Sequence, residues 1–199
     1  VMRELVELGY AKNIELKITT NGTHDVTAHL EKYASHYKAF NIGWSIDGVG
    51  KMFEYLRHPG KWELTKANLL AAHSLLEGRK NVSFSINCVV SWINAAALND
   101  LESFAREFLP KFAVFYRPLV MPFQLSLTSI TAQAQACIKS AWEAHNWHPA
   151  SKQQIDGLQS FMHSAHISEQ EFADNLKFTL DTDVVRDKDV RELVPWIAK

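Results

Sequence analysis

Cysteine is scarce in this chain. Its 199 residues hold two, Cys88 and Cys137. They lie far apart, one in an apolar strand-like stretch and one in a helical stretch. A disulfide framework is excluded, buried free thiols are the plain expectation, and the cytoplasm is the default compartment. An excess of one charge is missing too. Lysine and arginine number 21 against 22 aspartates and glutamates, so neither a general nucleic-acid binder nor a membrane-surface binder is indicated. No apolar run reaches the roughly 18 residues that a membrane span requires. The opening "VMRELVELGYAKN" is amphipathic and charged, unlike a signal peptide. Internal repeats, low-complexity tracts and linker-like stretches are also lacking. The length suits one large domain or a domain with an appendage.

What is present alternates. Four short β-branched or aromatic segments read as buried strands: 14–20, 39–47, 81–90 and 112–120. Helical patterns separate them. Residues 25–38 place Val26, Leu30, Tyr33 and Tyr37 on one stripe, with Asp25 as N-cap. Residues 62–78 place Leu64, Ala67, Ala71 and Leu75 together, with Gly78 at the C-terminal end. Residues 94–108 align Leu98, Leu101, Ala105 and Phe108 behind Asn94 as cap. Strands alternating with helices at this spacing predict βα units and a parallel sheet. Right-handed crossovers then curl it toward an open or closed barrel. The fold class expected is α/β: a partial (β/α) barrel of about four parallel strands with a helical C-terminal extension. The division falls at 1–122 and 123–199. In the second part, 131–145, 151–166 and 168–184 read as helices. Ser151/Gln154 and Ser168/Glu171 have capping-box spacing, and a short helix broken at Pro195 follows. Four parallel strands have two edges to protect. That predicts upstream strands outside this sequence, or a partner that supplies them.

The stretch "IGWSIDGVGKMFEYLRHPG" (42–60) carries the chemistry. Residues i and i+2 of a strand share a face, so Ser45 and Asp47 project together at a strand's carboxyl end. Carboxyl ends of parallel strands are where such sheets bind ligands. Arg57 follows within reach of the same edge, and a guanidinium grips a carboxylate as lysine does not. A hydroxyl, a carboxylate and a guanidinium suit a ligand with amino-acid or ribose groups. Taken singly, each has a blander reading: Asp47 a helix cap, Ser45 a small filler, Arg57 a surface ion pair. Asn21, in the Asn21-Gly22 turn, presents an amide at the same edge. Asn87 puts an amide in an apolar strand, where it needs a hydrogen bond or a ligand.

"ITTNGT", then "FNIGWSIDGVGKMFEYLRHPGKWELTKANL", then "VSFSINCVVSWIN" resemble the middle and C-terminal part of the radical S-adenosylmethionine superfamily. The branch with twitch or SPASM cluster-binding extensions is the nearest in pattern. The resemblance spans roughly residues 3–120, and the tail "LKFTLDTDVVRDKDVRELVPWI" resembles the ending of twitch-type members. The strand-end Ser-x-Asp-Gly followed by the arginine is its specific part. It implies a partial (β/α) barrel whose Ser45 and Arg57 contact the methionyl carboxylate of S-adenosylmethionine. It also implies a structural or ribose-side role for Asp47, a barrel-lining position for Asn87, and an adenine passing near Leu119. Modification of proteins or peptides is a common task among such relatives.

The departures are as informative. The family's Cys-x-x-x-Cys-x-x-Cys loop, whose thiolates hold three irons of a [4Fe–4S] cluster, is absent from this sequence, as are the Gly-Gly-Glu type stretch and the twitch cysteines. In family terms the sequence corresponds to strands three to six. The expectation is therefore a fragment of a radical S-adenosylmethionine enzyme. It keeps part of the cofactor pocket, lacks the cluster ligands, and is inactive unaided. The competing expectation is a cluster-free half-barrel module, or one half of a split enzyme, that pairs its exposed edge with the missing half or a second copy. An unrelated barrel enzyme with an anionic substrate is the third possibility, although no catalytic acid, base or nucleophile stands out. Weaker features are the pairs His145/His148 and His163/His166, read as surface histidines rather than metal ligands. Arg117 reads as an ion-pair residue at a strand end, and the alternating charges of "DTDVVRDKDVRE" as a solvated helical face.

Overall fold

The computed structural model describes residues 1–197. Four strands, β1 (Glu15–Thr20), β2 (Ala39–Ser45), β3 (Val82–Val90) and β4 (Ala113–Pro118), form one sheet in the order β1-β2-β3-β4. Every neighbouring pair is parallel. Helices α1 (Met2–Glu7), α2 (Thr27–Tyr33), α3 (Gly50–Leu56), α4 (Trp62–Leu76) and α5 (Leu98–Phe108) precede and connect the strands. Helices α6 (Ala132–Glu143), α7 (Pro149–Met162) and α8 (Glu169–Arg186) follow them. This is an α/β fold consistent with a partial (β/α) barrel.

The strands are buried on one face only, not throughout as their composition suggests. Phe40, Ile42 and Trp44 of β2, Ile86, Cys88 and Val90 of β3, and Tyr116 of β4 point into the helix layer and are buried. The alternate residues face the other way. Register aligns Lys17 with Asn41 and Asn41 with Ser83, then Thr19 with Gly43 and Gly43 with Ser85, then Ser45 with Asn87 and Asn87 with Phe115. That second face is mostly small and polar, apart from the exposed Val89 and Phe115, and no described element covers it. Apolar strands stack against helices. A face of serine, asparagine and glycine gains little by burial.

Three helix expectations need correction. On α4 the buried stripe is Trp62, Thr65, Leu69, Ala72 and Leu76, while Leu64 is exposed. Both stripes are apolar enough to serve, and the one carrying Trp62 wins because its ring packs against Phe53 and Phe104. On α5, Leu98, Leu101 and Ala105 are buried, but Phe108 at the end of the stripe is exposed. Helix α7 begins at Pro149 rather than 151, with His148 as N-cap accepting from the Ala150 N–H. Its first-turn side chains are drawn elsewhere. Ser151 Oγ donates to the buried Glu102 (3.0 Å), and Gln154 reaches β4. Capping bonds elsewhere follow the sequence more closely. Ser168 and Glu171 form a complete capping box. Asp25 accepts from the Thr27 N–H at 2.8 Å one position ahead of the cap, Val26. Gly78 takes the left-handed conformation just past α4.

The C-terminal helices pack on the sheet layer at defined points. The Trp142 indole donates to the Ala95 carbonyl (2.7 Å), and Trp92 meets Phe172 edge-to-face at 5.6 Å. Tyr55 of α3 donates to the buried Asp183 of α8 at 2.8 Å. Asp183 also accepts from the Val190 N–H. The charged tail is thus more than a solvated face. After α8 the chain forms two single 3-10 turns, Val190–Glu192 and Pro195–Ile197.

Gln154 matters for the sheet. Its amide accepts from the Tyr116 N–H and donates to the Val114 carbonyl, both at 2.9 Å. One side chain therefore satisfies two outward main-chain groups of β4, as a further strand would. At the opposite edge, Ile14 turns its carbonyl toward β2. The main chain of Glu15, Lys17 and Thr19 consequently turns outward, and no described residue pairs with it.

Candidate functional site

The site assembles where β2 and β3 end. Beyond Ser45 the chain leaves the sheet, and the Asp47 side chain turns back across β3. One carboxylate oxygen accepts from the Val89 N–H (2.8 Å), and the other holds the Arg57 guanidinium through Nη2 (2.7 Å). Arg57 stands at the C-terminal end of α3, so that short helix delivers the cation back over the strand ends. Asp47 does not cap α3, whose N-cap is Val49.

Asn94 fixes this arrangement, and it is the site residue that sequence reading missed. Its amide donates to the Asp47 carbonyl (2.7 Å) and the Val89 carbonyl (2.9 Å), and its oxygen accepts from the Ser91 N–H (2.8 Å). It is buried and ties the β2 and β3 strand ends together instead of capping α5. The available signal was a second buried-type asparagine a few residues past Asn87, at the end of the same strand.

Burial pushes the Asp47 carboxyl above its ordinary value, and the Arg57 charge and the Val89 N–H offset that only in part. The Arg57 Nε–H is itself buried and has no hydrogen-bond partner among the described residues. A buried donor without a partner costs on the order of 1–3 kcal/mol unless a ligand or water accepts from it.

The remaining sequence candidates fall around this pair. Ser45 is half-buried and aligned with Asn87 on the uncovered face. Neither side chain has a hydrogen-bond partner among the described residues. Asn87 is therefore no core amide. It lies over Gly43, where an added Cβ would stand 2.5 Å from its Nδ2, so glycine at 43 is what leaves room for it. Asn21, at the end of β1, spends its side-chain oxygen on the Thr23 N–H and hydroxyl. Leu119 continues past β4 with its N–H on the Val90 carbonyl (2.8 Å). Arg117 is exposed on the uncovered face, aligned with Val89, without an ion-pair partner among the described residues.

Among the described residues no group of three or more histidine, cysteine or acidic side chains is placed to hold an ion. Cys88 is buried, and burial raises its thiol well above the ordinary value, whereas Cys137 is exposed on α6. His148 serves as the α7 cap, and His145 packs edge-on against Trp147. No helix among the described residues is long and apolar enough to cross a membrane.

A scan against protein-family models finds no match, and a search of curated proteins finds none either. Among solved structures the chain is similar to one described as native anSMEcpe with bound AdoMet. The identity is 20%, the TM-score 0.45, and the alignment covers 83% of this chain. The chain spans 43% of that structure's length.

Proposed function

We propose that this chain is part of a radical S-adenosylmethionine enzyme of the twitch or SPASM branch, supplying one side of the cofactor pocket. The observation that carries the reading is the strand-end mouth. There Asp47 and Arg57 are locked together, and among the described residues the Arg57 Nε–H lacks an acceptor and the Ser45 hydroxyl and Asn87 amide stand unengaged on the adjoining face. These groups fit the amino-acid end of S-adenosylmethionine. Arg57 and Ser45 would hold its carboxylate, Asp47 would orient the arginine, and Leu119 would flank the adenine. With the cofactor bound and a reduced cluster supplied from outside this chain, the group would provide radical chemistry that removes a hydrogen atom from a substrate. The chain's own residues bind and orient the cofactor.

The cluster itself does not fit this chain. Three closely spaced thiolates are needed, and the two cysteines present are separated by environment as well as sequence. Cluster ligands belong to a longer product or a partner, and the chain is inactive alone. The open β1 edge favours a second reading within the same picture: a half-barrel, in the cytoplasm, completed by the missing N-terminal half or by a second copy.

Calorimetric titration with S-adenosylmethionine tests the pocket. Arg57→Ala is expected to weaken binding at least about tenfold, the loss of one charge-assisted contact. An unchanged affinity, or no saturable binding by the parent chain, overturns the assignment. Anaerobic reconstitution with iron and sulfide should give no stoichiometric cluster, and a cysteine-ligated cluster would remove the fragment reading.

A further inference from the structure

The opposite end of the uncovered face carries a second set of groups that the strand-end mouth does not use. Lys17, Asn41 and Ser83 form one row across three strands, a span of about 10 Å. Ser85 stands in the next row up. This row lies four residues before Ser45 and Asn87, on the order of 13 Å from them along the strands. A cleft of about 510 Å³ opens over it and continues beneath the strand ends past Arg79 and Lys111. That volume suits a small organic ligand.

Three cations line the cleft, Lys17, Arg79 and Lys111, against one carboxylate, Glu77. Lys111 is committed to Glu77 at 3.0 Å, where it also offsets the carbonyl end of α4. Lys17 and Arg79 have no ion-pair partner among the described residues. The polar floor adds hydroxyl and amide groups, with Ser83 Oγ donating to the Asn41 side-chain oxygen. That leaves the Asn41 amide as a free donor toward the cleft. The wall is flat and apolar. On the uncovered face it is Phe115, which is exposed; Phe84 and Phe112, stacked at 4.9 Å with planes 6° apart, line the cleft from the helix side of the sheet.

We infer that this cleft binds a phosphate-bearing small molecule with a planar body. Its phosphate is held between Lys17 and Arg79 over the Asn41–Ser83 row, and its planar part lies against Phe115 on the same face. The chemistry is cationic and donor-rich at one end and aromatic at the other. A bare anion uses half of it, and a neutral planar molecule uses the other half. The site is separate from the strand-end mouth and does not depend on the cofactor reading.

Adenosine 5′-monophosphate is the probe, titrated into the full chain at low salt and compared with adenosine and inorganic phosphate. The nucleotide is expected to bind saturably and at least tenfold more tightly than either part. Lys17→Ala and Arg79→Ala should each weaken it severalfold, and Lys17→Arg should restore most of the loss. Lys17 is exposed and Arg79 half-exposed, so the variants should melt close to the parent. Arg57→Ala should leave nucleotide affinity unchanged. Three results overturn the inference: no saturable nucleotide binding, equal affinity in the parent and both alanine variants, or loss of binding in Arg57→Ala alone. The last would place the nucleotide in the strand-end mouth.

Discussion

The two faces of the sheet follow opposite rules. Toward the helices, every second residue of β2 and β3 is large and apolar, and Phe40, Ile42, Trp44 and Ile86 are fully buried. Toward the other side, the same strands present asparagine, glycine and serine. Parallel sheets are ordinarily covered on both faces. The two edges differ in the same sense. The β4 edge is closed by the Gln154 amide, whereas the β1 edge has its main chain free among the described residues. One face and one edge are finished, and the other face and edge keep unspent hydrogen-bonding capacity. The distinction teaches where stability resides and where binding can occur.

The strongest way to break that comparison is to truncate one position on each face, on adjacent strands. Trp44 is fully buried and packs over Gly22, where even a Cβ would lie 3.0 Å from its ring. Trp44→Ala should cost about 3–5 kcal/mol, the range for removing a large core aromatic. Ser85 lies on the uncovered face of the neighbouring strand, and Ser85→Ala should stay within about 0.5 kcal/mol. Urea melts of the two variants check this. Comparable losses would mean that the polar face is buried in the protein as it exists in solution.

The same division explains what the sequence could disclose. Strand order and direction were legible because apolar segments such as "NIGWSI" and "SFSINCVV" alternate with helical stripes. That each strand buries one face only was harder to read. Cys88 and Val90 flank Val89, which is exposed, so the strand looks apolar throughout while its surroundings are not. The Ser45–Asp47–Arg57 spacing pointed to the β2 strand end, where Asp47 and Arg57 are paired. The direct Asp47–Arg57 pair was not predicted, because spacing does not reveal which way a short excursion of about two turns such as α3 folds back. Asn94 and Gln154 were misread for a related reason. Each sits where local rules assign a helix cap, and each is taken instead by main chain distant in sequence, at Asp47 and at β4.

A smaller effect sharpens the contrast between the edges. Gln154→Ala removes two main-chain bonds from β4 without touching the core. A loss of about 1–3 kcal/mol is expected, together with a new tendency to self-associate through the exposed strand. Denaturant melts and light scattering at increasing concentration read the two consequences. Lys17→Ala at the β1 edge, where no such seal exists among the described residues, should leave stability almost unchanged. If Gln154→Ala is as silent as Lys17→Ala, the amide is not what closes the sheet.

The smallest effect concerns pH and the pair that joins the covered layer to the mouth. The folded-state pKa of Asp47 is raised, chiefly by burial, with Arg57 opposing. A carboxyl with a raised folded value binds its proton more readily in the native chain than in the unfolded one. Its contribution therefore favours folding below the ordinary aspartate value and is lost as pH rises through the window just above it. Asp47→Asn lacks that titration. The stability of the parent relative to this variant should decline as pH climbs from about 3.8 through the folded-state value and then level off. Denaturant melts of both proteins across that window give the difference curve. A difference that instead grows with pH would mean that the Arg57 ion pair outweighs burial, and the carboxylate would then stabilise the mouth rather than burden it.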